Sequence, residues 1–397
     1  MAIRSTPPGR KRRRKDKLHS PSLSTDYNSG MIPSRVRFTV RRQASLILLI
    51  LICSVSVAGQ PTDLSGRLDT LLGDPALGAS VWAVKVVSVN NGEVLYERNS
   101  RVLLVPASNL KLVTAIAAIQ KLGLDYRFRT RIETDGEIRN GVLEGSLIIR
   151  GSGDPTLGAR PSSPDLEHME AGNPWETFDS WAQHLKSLGI HAIRGDLVGD
   201  DTLLAPADPG PGWAWDDLPW GYASPAGGLL FNENLVLLHI VSSGPGSVPR
   251  LEIVPDLPFL RIVSTMATAC EGQLPEIELT RDIGENLTTI GGIVRPSADQ
   301  WRSVNAGDPS RYFMSALRQA LNRAGIELEG TVRLAGSKPP SAARLLFTHD
   351  SPDLRYILRV LLKTSHNLYA EVLARIISTQ PSRKSLESGI EQIEEVL

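Results

Sequence analysis

The chain has little cysteine and no pattern of metal ligands. Only two cysteines, Cys53 and Cys270, occur in 397 residues. Removal of a leader containing Cys53 would leave Cys270 alone, so no disulfide could form within the mature chain. We expect Cys270 to be a small buried residue rather than a nucleophile. The seven histidines show no His-Glu-x-x-His spacing, which argues against a metallopeptidase, and we expect neither a metal nor another cofactor.

Net charge is also absent. The chain has 43 basic and 43 acidic residues, and the basic excess lies in the N-terminal segment, so the sequence after Ala58 is mildly acidic. A nucleic-acid partner is therefore not expected. The glycine-rich segment 151–158 lacks the Gly-Lys-Ser/Thr of a phosphate-binding loop. It predicts a tight turn with glycine at positive φ.

The first sixty residues resemble an export signal more than a folded domain. A basic segment precedes residues 44–58, which are uncharged, mostly apolar and end in Ser56-Val57-Ala58. This order predicts a secretory signal peptide and a mature protein in the periplasm or cell envelope. The apolar run is short for a transmembrane span, so membrane attachment is expected only if the leader stays uncleaved. Translation starts at Met1 or, alternatively, at Met31.

Ser108 and Lys111 are the first candidates for a catalytic pair. They lie in residues 105–114, where a helix is predicted to begin. Positions i and i+3 share one helix face, so the lysine amine can lie beside the serine hydroxyl. A lysine whose pKa is lowered by burial can take the serine proton, and the helix N-terminus can stabilise an oxyanion. Taken alone, Ser-x-x-Lys is a short pattern that also occurs by chance.

The surrounding sequence predicts a mixture of helices and strands. Residues 81–89 and 93–97 predict a β-hairpin with a type I′ turn at Asn91-Gly92. The helix after Ser108 is expected to bury Val113, Ile116, Ala117 and Leu122. The aromatic segment 211–222 is expected to pack in the core or at an interface rather than to stack on a ligand. Further helices are predicted at 175–188, 309–325 and 352–362, and short strands at 126–150 and 250–300.

Ser365-His366-Asn367 is the second candidate motif, and it lies between two predicted apolar helices. A serine or asparagine at such a junction is usually a helix cap. However, Ser-x-x-Lys lies 257 residues upstream. An acyl-transfer site needs a second hydroxyl that relays the proton to the leaving group, and an amide that holds the substrate. The two motifs together therefore favour a serine enzyme.

The two motifs match S-x-x-K and S-x-N of the penicillin-recognising serine enzymes. Three further segments are more discriminating: Gly-Asp-Pro-Thr-Leu at 153–157, Pro-Gly-Trp-Ala-Trp at 211–215, and Ser-His-Asn-Leu-Tyr-Ala-Glu at 365–371. With them, the chain resembles the D-alanyl-D-alanine carboxypeptidase/endopeptidase family, the low-molecular-mass class C penicillin-binding proteins, over residues 63–397.

The resemblance implies an α/β (α+β) fold in which a transpeptidase-like domain, a sheet flanked by helices, is interrupted by a strand-rich insertion. The expected boundaries are a leader and signal peptide at 1–59, the first part of the transpeptidase-like domain at 60–130, the insertion at 131–335, and the second part at 336–397.

The resemblance also implies roles for particular residues. Ser108 would be the acylated nucleophile and Lys111 its base, while Ser365 would pass the proton onward and Asn367 would contact the substrate. His366 occupies the variable middle position and is assigned no chemistry. The expected activity is that of a serine-type D-Ala-D-Ala carboxypeptidase, with endopeptidase activity on cross-links. Its substrates would be peptidoglycan stem peptides and its inhibitors β-lactams.

One departure from the family pattern affects this expectation. A Lys-Thr-Gly motif should follow Ser365 by about a hundred residues, whereas the sequence continues for 32 residues after it. We therefore expect a C-terminally truncated chain with little or no activity. Two alternatives stay open: a catalytically inactive wall-binding or scaffolding protein, and a serine β-lactamase, against which the long insertion argues.

Overall fold

The computed structural model describes residues 63–78, 80–205, 212–282, 286–336 and 343–397. The predicted leader lies outside these ranges. Within them, none of the helices is long and apolar enough to cross a membrane. The chain divides into two compact units at Leu104 and Val105. The predicted domain boundaries at 59, 130 and 335 remain predictions.

The first unit contains the predicted hairpin. Helix α1 is Leu64–Leu72, and strands β1 (Val84–Val87) and β2 (Val94–Arg98) pair antiparallel. The connecting loop differs from the predicted type I′ turn, which requires positive φ at both central residues. Only Gly92 has a positive φ there, at 73°, and the loop closes through a hydrogen bond from the Gly92 amide to the Ser88 carbonyl.

The described part of the second unit is a mixture of helices and short strands, as the sequence predicts. Its helices are α2 (Leu110–Leu122), α3 (Glu176–Ser187), α4 (Pro309–Arg323), α5 (Leu354–Lys363), α6 (Asn367–Ile376) and α7 (Leu386–Glu394). Its strands are β3 (Arg129–Thr134), β4 (Glu137–Arg139), β5 (Val142–Glu144), β6 (Leu147–Arg150), β7 (Ala192–Ile193), β8 (Leu197–Asp200), β9 (Leu235–Val241), β10 (Arg250–Val254), β11 (Arg261–Ser264), β12 (Ala267–Thr268), β13 (Glu276–Asp282), β14 (Leu287–Val294), β15 (Asp299–Asn305), β16 (Glu327–Leu328), β17 (Val332–Leu334) and β18 (Arg344–Asp350).

These strands form several small sheets. The largest has five strands in the order β17-β8-β6-β3-β18, with parallel pairing from β17 to β6 and antiparallel pairing from β6 to β18. A four-stranded sheet has the order β16-β7-β5-β4, a three-stranded sheet the order β10-β9-β15, and strands β11, β12 and β13 all pair with β14. Such mixed sheets with helices packed against them are typical of an α+β fold.

Two large clusters of buried apolar side chains hold the described part of the second unit together. The larger combines sheet residues with α3 and α4, and the apolar stripe of α4 from Tyr312 to Leu321 is buried in it. The second cluster packs α2 against α5 and α6 through Ala117, Ile357 and Val372, among others. This second cluster brings the start of α2 close to the α5–α6 junction, although the two lie far apart in sequence.

The buried face of α2 differs in part from the predicted one. Ala117 is buried as expected, and Leu122 packs against the second cluster. Lys111, Ala115 and Ala118 are also buried; they are spaced i, i+4 and i+7 and therefore share one side of the helix. Ile116 was expected to be buried but is 48% exposed. The helix is rotated so that its lysine faces inward, and the small alanines leave space for α6 to approach.

One further expectation is wrong. Cys270 is exposed rather than buried, and its amide donates a hydrogen bond to the Gln273 side chain.

The aromatic segment agrees with its expectation in part. Trp220 packs against the larger apolar cluster, and Trp213 stacks on Tyr222 with 6.1 Å between ring centroids. Trp215 is 74% exposed, and packing of this ring at an interface remains a prediction.

The glycine-rich segment 151–158 is a buried turn, with Gly153 and Gly158 at positive φ as predicted. It encloses the carboxyl group of Asp154, whose Oδ1 accepts hydrogen bonds from the amide and hydroxyl of Thr156. Its Oδ2 is buried and has no hydrogen-bond partner among the described residues. Burial raises the pKa of Asp154 from 3.8 to about 6.

We predict that ionised Asp154 destabilises the fold. Since its pKa is higher folded than unfolded, the free energy of unfolding falls as the pH rises from about 4 to 6. Asp154→Asn should therefore be more stable than the wild type by about 3 kcal/mol at pH 7.5, and by roughly half of that at pH 5. Urea unfolding of both proteins across this pH range measures the difference. A difference that stays constant with pH would contradict the prediction.

Candidate active site

The amine of Lys111 contacts all of the other predicted site residues. Its Nζ atom lies 3.0 Å from Ser108 Oγ, 3.2 Å from Ser365 Oγ, and 2.6 Å from Asn367 Oδ1. It also lies 2.8 Å from the carbonyl oxygen of Ser365. The structure therefore brings together two motifs that are 257 residues apart in sequence.

The contacts of Lys111 are compatible with a neutral amine. Four oxygen atoms surround Nζ, and either form of lysine has three hydrogen-bonding positions: three hydrogens in the ammonium group, or two hydrogens and one lone pair in the amine. In the neutral form, Nζ donates to the Ser365 carbonyl and to Asn367 Oδ1, and its lone pair accepts the hydroxyl proton of Ser108. The geometry therefore permits Lys111 to act as a base.

Burial favours that neutral form. Lys111 is only 8% exposed, and removal from water lowers its pKa below the usual lysine value. No carboxylate lies within salt-bridge distance of Nζ among the described residues, so no described ion pair offsets this effect. Ser108, in contrast, is exposed, so its hydroxyl can be reached by a substrate.

Ser108 lies in the turn just before α2 rather than within the helix. The helix begins at Leu110, and the turn is closed by a hydrogen bond from the Lys111 amide to the Ser108 carbonyl. The side chain of Asn109 folds back to accept a hydrogen bond from the Ala107 amide. The serine therefore sits at the positive end of the α2 dipole, as expected for a nucleophile whose attack produces an oxyanion.

Ser365 occupies the position after the α5 C-cap where glycine is usually found. Its φ is +54°, and the amide of the next residue, His366, donates to the carbonyl of Leu361, which is the pattern of a Schellman motif. This conformation turns the chain sharply between α5 and α6. It places both the hydroxyl and the carbonyl of Ser365 toward Lys111.

Asn367 is the first residue of α6, and both polar atoms of its side-chain amide form hydrogen bonds. Its Oδ1 accepts from Lys111, and its Nδ2 donates to the backbone carbonyl of Tyr222 at 2.9 Å. These two contacts fix which end of the amide faces the lysine. They also link the α5–α6 junction to the aromatic segment.

Sequence reasoning missed a buried group of charges behind this junction. His366, which was assigned no chemistry, places its Nε2 2.8 Å from Oε2 of Glu233. Glu233 is also paired with Arg160 and accepts a hydrogen bond from Tyr369. One signal was present in the sequence: Glu233 is a single carboxylate within an otherwise apolar or amide-bearing stretch, 229–238, and buried carboxylates are almost always paired.

Two cavities meet at Asn367. One has a volume of about 770 Å³ and is lined by Asp201, Trp213, Glu371 and Arg383, among others. The other, of about 580 Å³, lies along Ser365, His366 and Trp301. Both have the size of ordinary ligand sites. Across the residues that the structure describes, no group of three or more His, Cys, Asp or Glu is arranged to hold a metal.

Comparison with known proteins agrees with the resemblance. The chain is 27% identical to the D-alanyl-D-alanine carboxypeptidase of Actinomadura sp. (strain R39) over 90% of this chain and 67% of that protein. It is also 27% identical to the D-alanyl-D-alanine carboxypeptidase DacB of Haemophilus influenzae, over 73% of this chain and 57% of that protein. The chain thus spans between about half and two thirds of the length of these relatives.

The fold comparison gives the same group of proteins. The crystal structure of penicillin binding protein 4 (dacB) from Haemophilus influenzae matches with a TM-score of 0.66 and 25% identity, covering 79% of this chain and 66% of that one. The predicted α/β fold class is therefore confirmed. The sequence model of the D-Ala-D-Ala carboxypeptidase 3 (S13) family matches residues 64–397. Because this match covers well over half of the sequence, the chain belongs to the D-Ala-D-Ala carboxypeptidase 3 (S13) family.

Proposed function

We propose that this chain is a serine-type D-Ala-D-Ala carboxypeptidase that acts on peptidoglycan stem peptides through an acyl-enzyme. One observation carries the proposal: the buried amine of Lys111 lies within 3.2 Å of the hydroxyl groups of both Ser108 and Ser365. The proposed base thus contacts both the proposed nucleophile and the proposed proton relay. The names of the relatives from Actinomadura and Haemophilus influenzae support the substrate class.

In this proposal each residue has a defined role. Neutral Lys111 takes the proton of Ser108 while Oγ attacks the carbonyl carbon of the penultimate D-alanine. The peptide bond then breaks, and the proton passes from Lys111 through the Ser365 hydroxyl to the leaving amine of the terminal D-alanine. Water next hydrolyses the ester on Ser108 with Lys111 again as the base. Asn367 holds the lysine in place and contacts the substrate backbone.

The proposal includes endopeptidase activity, β-lactam binding and export. Asn367 lines both cavities, which leaves space for a peptide beside the proposed substrate-binding amide. The related penicillin binding protein 4 from Haemophilus influenzae has been crystallised with a β-lactam. Because peptidoglycan lies outside the inner membrane, such an activity fits the secretory leader and an envelope location.

The first prediction is covalent labelling of Ser108. The protein, as the printed chain or extended by any further coding sequence, should react with a fluorescent penicillin to give an adduct that survives denaturing electrophoresis. Ser108→Ala should abolish it, because the adduct is an ester of Ser108. Ser152→Ala is the matched control: this serine is buried, its hydroxyl contacts only that of Thr130 among the described residues, and the substitution should leave labelling intact. The chain as printed and the chain extended by any further coding sequence should be compared.

Each outcome of this experiment is informative. Labelling of either form, with loss in Ser108→Ala, supports the proposal. If both forms are folded and neither is labelled, the enzyme proposal fails and a non-catalytic wall-binding protein takes its place. Rapid release of the label with turnover of the penicillin, but no release of D-alanine from a peptide ending in D-Ala-D-Ala, indicates a serine β-lactamase instead.

The second prediction concerns the pH dependence of labelling. Because burial lowers the pKa of Lys111, the acylation rate should rise with pH through an apparent pKa below the ordinary lysine value of about 10.4. Lys111→Ala should slow acylation by a factor of about 10²–10⁴. Lys121→Ala on the same helix removes contacts with Gln392 and Glu395 on α7 and beyond its end, none of which involves a candidate site residue, and it should retain the wild-type rate and profile. A wild-type profile that rises only at the pKa of a free lysine would exclude Lys111 as the base.

A further inference from the structure

Three consecutive residues of the second unit have left-handed backbone conformations. The φ angles of Asn232, Glu233 and Asn234 are 51°, 57° and 55°, and all three residues are buried. Left-handed residues other than glycine normally occur singly, because each one costs roughly 1–2 kcal/mol. Such strain persists only where the surrounding structure imposes it, and it is concentrated at functional sites.

The surrounding structure holds this left-handed turn from several sides. Asn232 Oδ1 accepts from the Ala159 amide, and its Nδ2 donates to the carbonyl of Leu235. Asn234 Nδ2 donates to the carbonyl of Gly307 at 2.9 Å. A side chain at Gly158 would collide with the backbone of Asn232, since a Cβ there would lie 2.5 Å from its Cα. The turn is therefore fixed by both amides and by a close backbone contact.

The turn presents one functional group, the carboxylate of Glu233. Arg160 binds it in a bidentate fashion, with both N–O distances at 2.6 Å. The hydroxyl of Tyr369, on α6, donates to Oε1 at 2.9 Å, and Nε2 of His366 lies 2.8 Å from Oε2. Both carboxylate oxygens thus have two partners each, and two of these partners belong to the α5–α6 junction or to α6.

The charges in this cluster keep Glu233 ionised. Burial alone would raise the pKa of this carboxyl group, but His366 and Arg160 outweigh burial and hold the pKa well below its usual value. The Arg160 guanidinium is likewise kept charged, because the pairing with Glu233 more than offsets its own burial. Removing one partner of a buried carboxylate strongly destabilises the folded state. The positions of Glu233, Arg160 and His366 therefore depend on one another.

His366 connects the cluster to the candidate catalytic residues. It lies between Ser365 and Asn367 in sequence, and its ring packs on Tyr369 with centroids 4.8 Å apart. Among the described residues, Glu233 is the only hydrogen-bond partner of the ring, since Nδ1 is buried without one. Ser365 itself has a positive φ, so this short segment needs an external contact that fixes its path.

We infer that Glu233, held by the left-handed turn, is a positioning residue that acts through His366 to set the Ser365 and Asn367 side chains against Lys111. The inference rests on the proposed function for its effect on the reaction. The carboxylate touches neither the substrate nor Lys111. Its role is to prevent the α5–α6 junction from shifting, because a displacement of about 1 Å at such a site can lower the rate by about a hundredfold.

The test uses His366→Ala, which removes the connection while leaving the Arg160–Glu233 pair intact. Acylation by a fluorescent penicillin is measured over a range of concentrations, which separates initial binding from the chemical step. The rate at saturation should fall by about tenfold to a hundredfold, with little change in the concentration that gives half-saturation. His168→Ala is the matched control: this exposed histidine also contacts a carboxylate, that of Asp165, but at the surface and away from the α5–α6 junction in sequence. It should behave as the wild type.

A second measurement does not depend on activity. Hydrogen exchange in residues 363–370 should become faster in His366→Ala, while exchange in β3 stays unchanged. Glu233→Gln breaks the same contact and also weakens the pair with Arg160, so it should produce at least this local effect. In the double variant, His366→Ala should lower the acylation rate little further, because Glu233→Gln has already broken the contact between the two residues. Additive losses in the double variant would mean that the two residues act separately.

The outcomes separate this inference from the proposed function. If the wild type is acylated and His366→Ala matches His168→Ala in both rate and exchange, the positioning role is wrong and the proposed function stands. If exchange rises throughout the chain, His366 is a general stability residue and the inference also fails. If the wild type is not acylated, the proposed function fails, and the exchange at 363–370 alone decides whether Glu233 and His366 hold the junction.

Discussion

The amine of Lys111 is the contact on which the candidate site depends. It joins Ser108 in the turn before α2 to Ser365 and Asn367 at the α5–α6 junction. A buried amine needs oxygen partners, and these come from a segment more than 250 residues away. The helices that carry them must therefore pack closely, and Ala115 and Ala118 on the buried face of α2 permit this approach. The geometry of the candidate site and the packing of these helices therefore depend on each other.

Two of the segments in this unit where residues other than glycine have positive φ lie around that contact. Ser365 has a positive φ where the chain leaves α5, and residues 232–234 have positive φ directly behind it. In both places the strained backbone places polar groups that a relaxed conformation would direct elsewhere. The free energy needed for this is offset by buried hydrogen bonds and by the Arg160–Glu233 pair. The surrounding structure thus fixes the backbone conformation of the α5–α6 junction.

Local patterns predicted most of the elements. The hairpin at β1–β2, the amphipathic helix α4, and the break between α5 and α6 were all correctly located from apolar spacing and turn residues. The errors arose where tertiary contacts overrode local preference. Ile116 was assigned to the core because it is apolar, whereas the inward rotation of Lys111 places it at the surface. The type I′ turn was also wrongly predicted, because the Asn-Gly pair lies in a longer loop that closes through a hydrogen bond from the Gly92 amide to the Ser88 carbonyl.

The residues of the candidate site divide in the same way between local and long-range information. Ser108 and Lys111 are three positions apart, and Ser365 and Asn367 are two apart, so a short pattern contains each pair. Arg160 and Glu233 are 73 residues apart, and Glu233 and His366 are 133 apart, so no short pattern contains their pairing. Only the unusual composition of residues 229–238, with one carboxylate among apolar and amide side chains, indicated that a buried partner was required. The first group makes the chemistry recognisable from sequence, whereas the second becomes visible only when the fold brings three distant segments together.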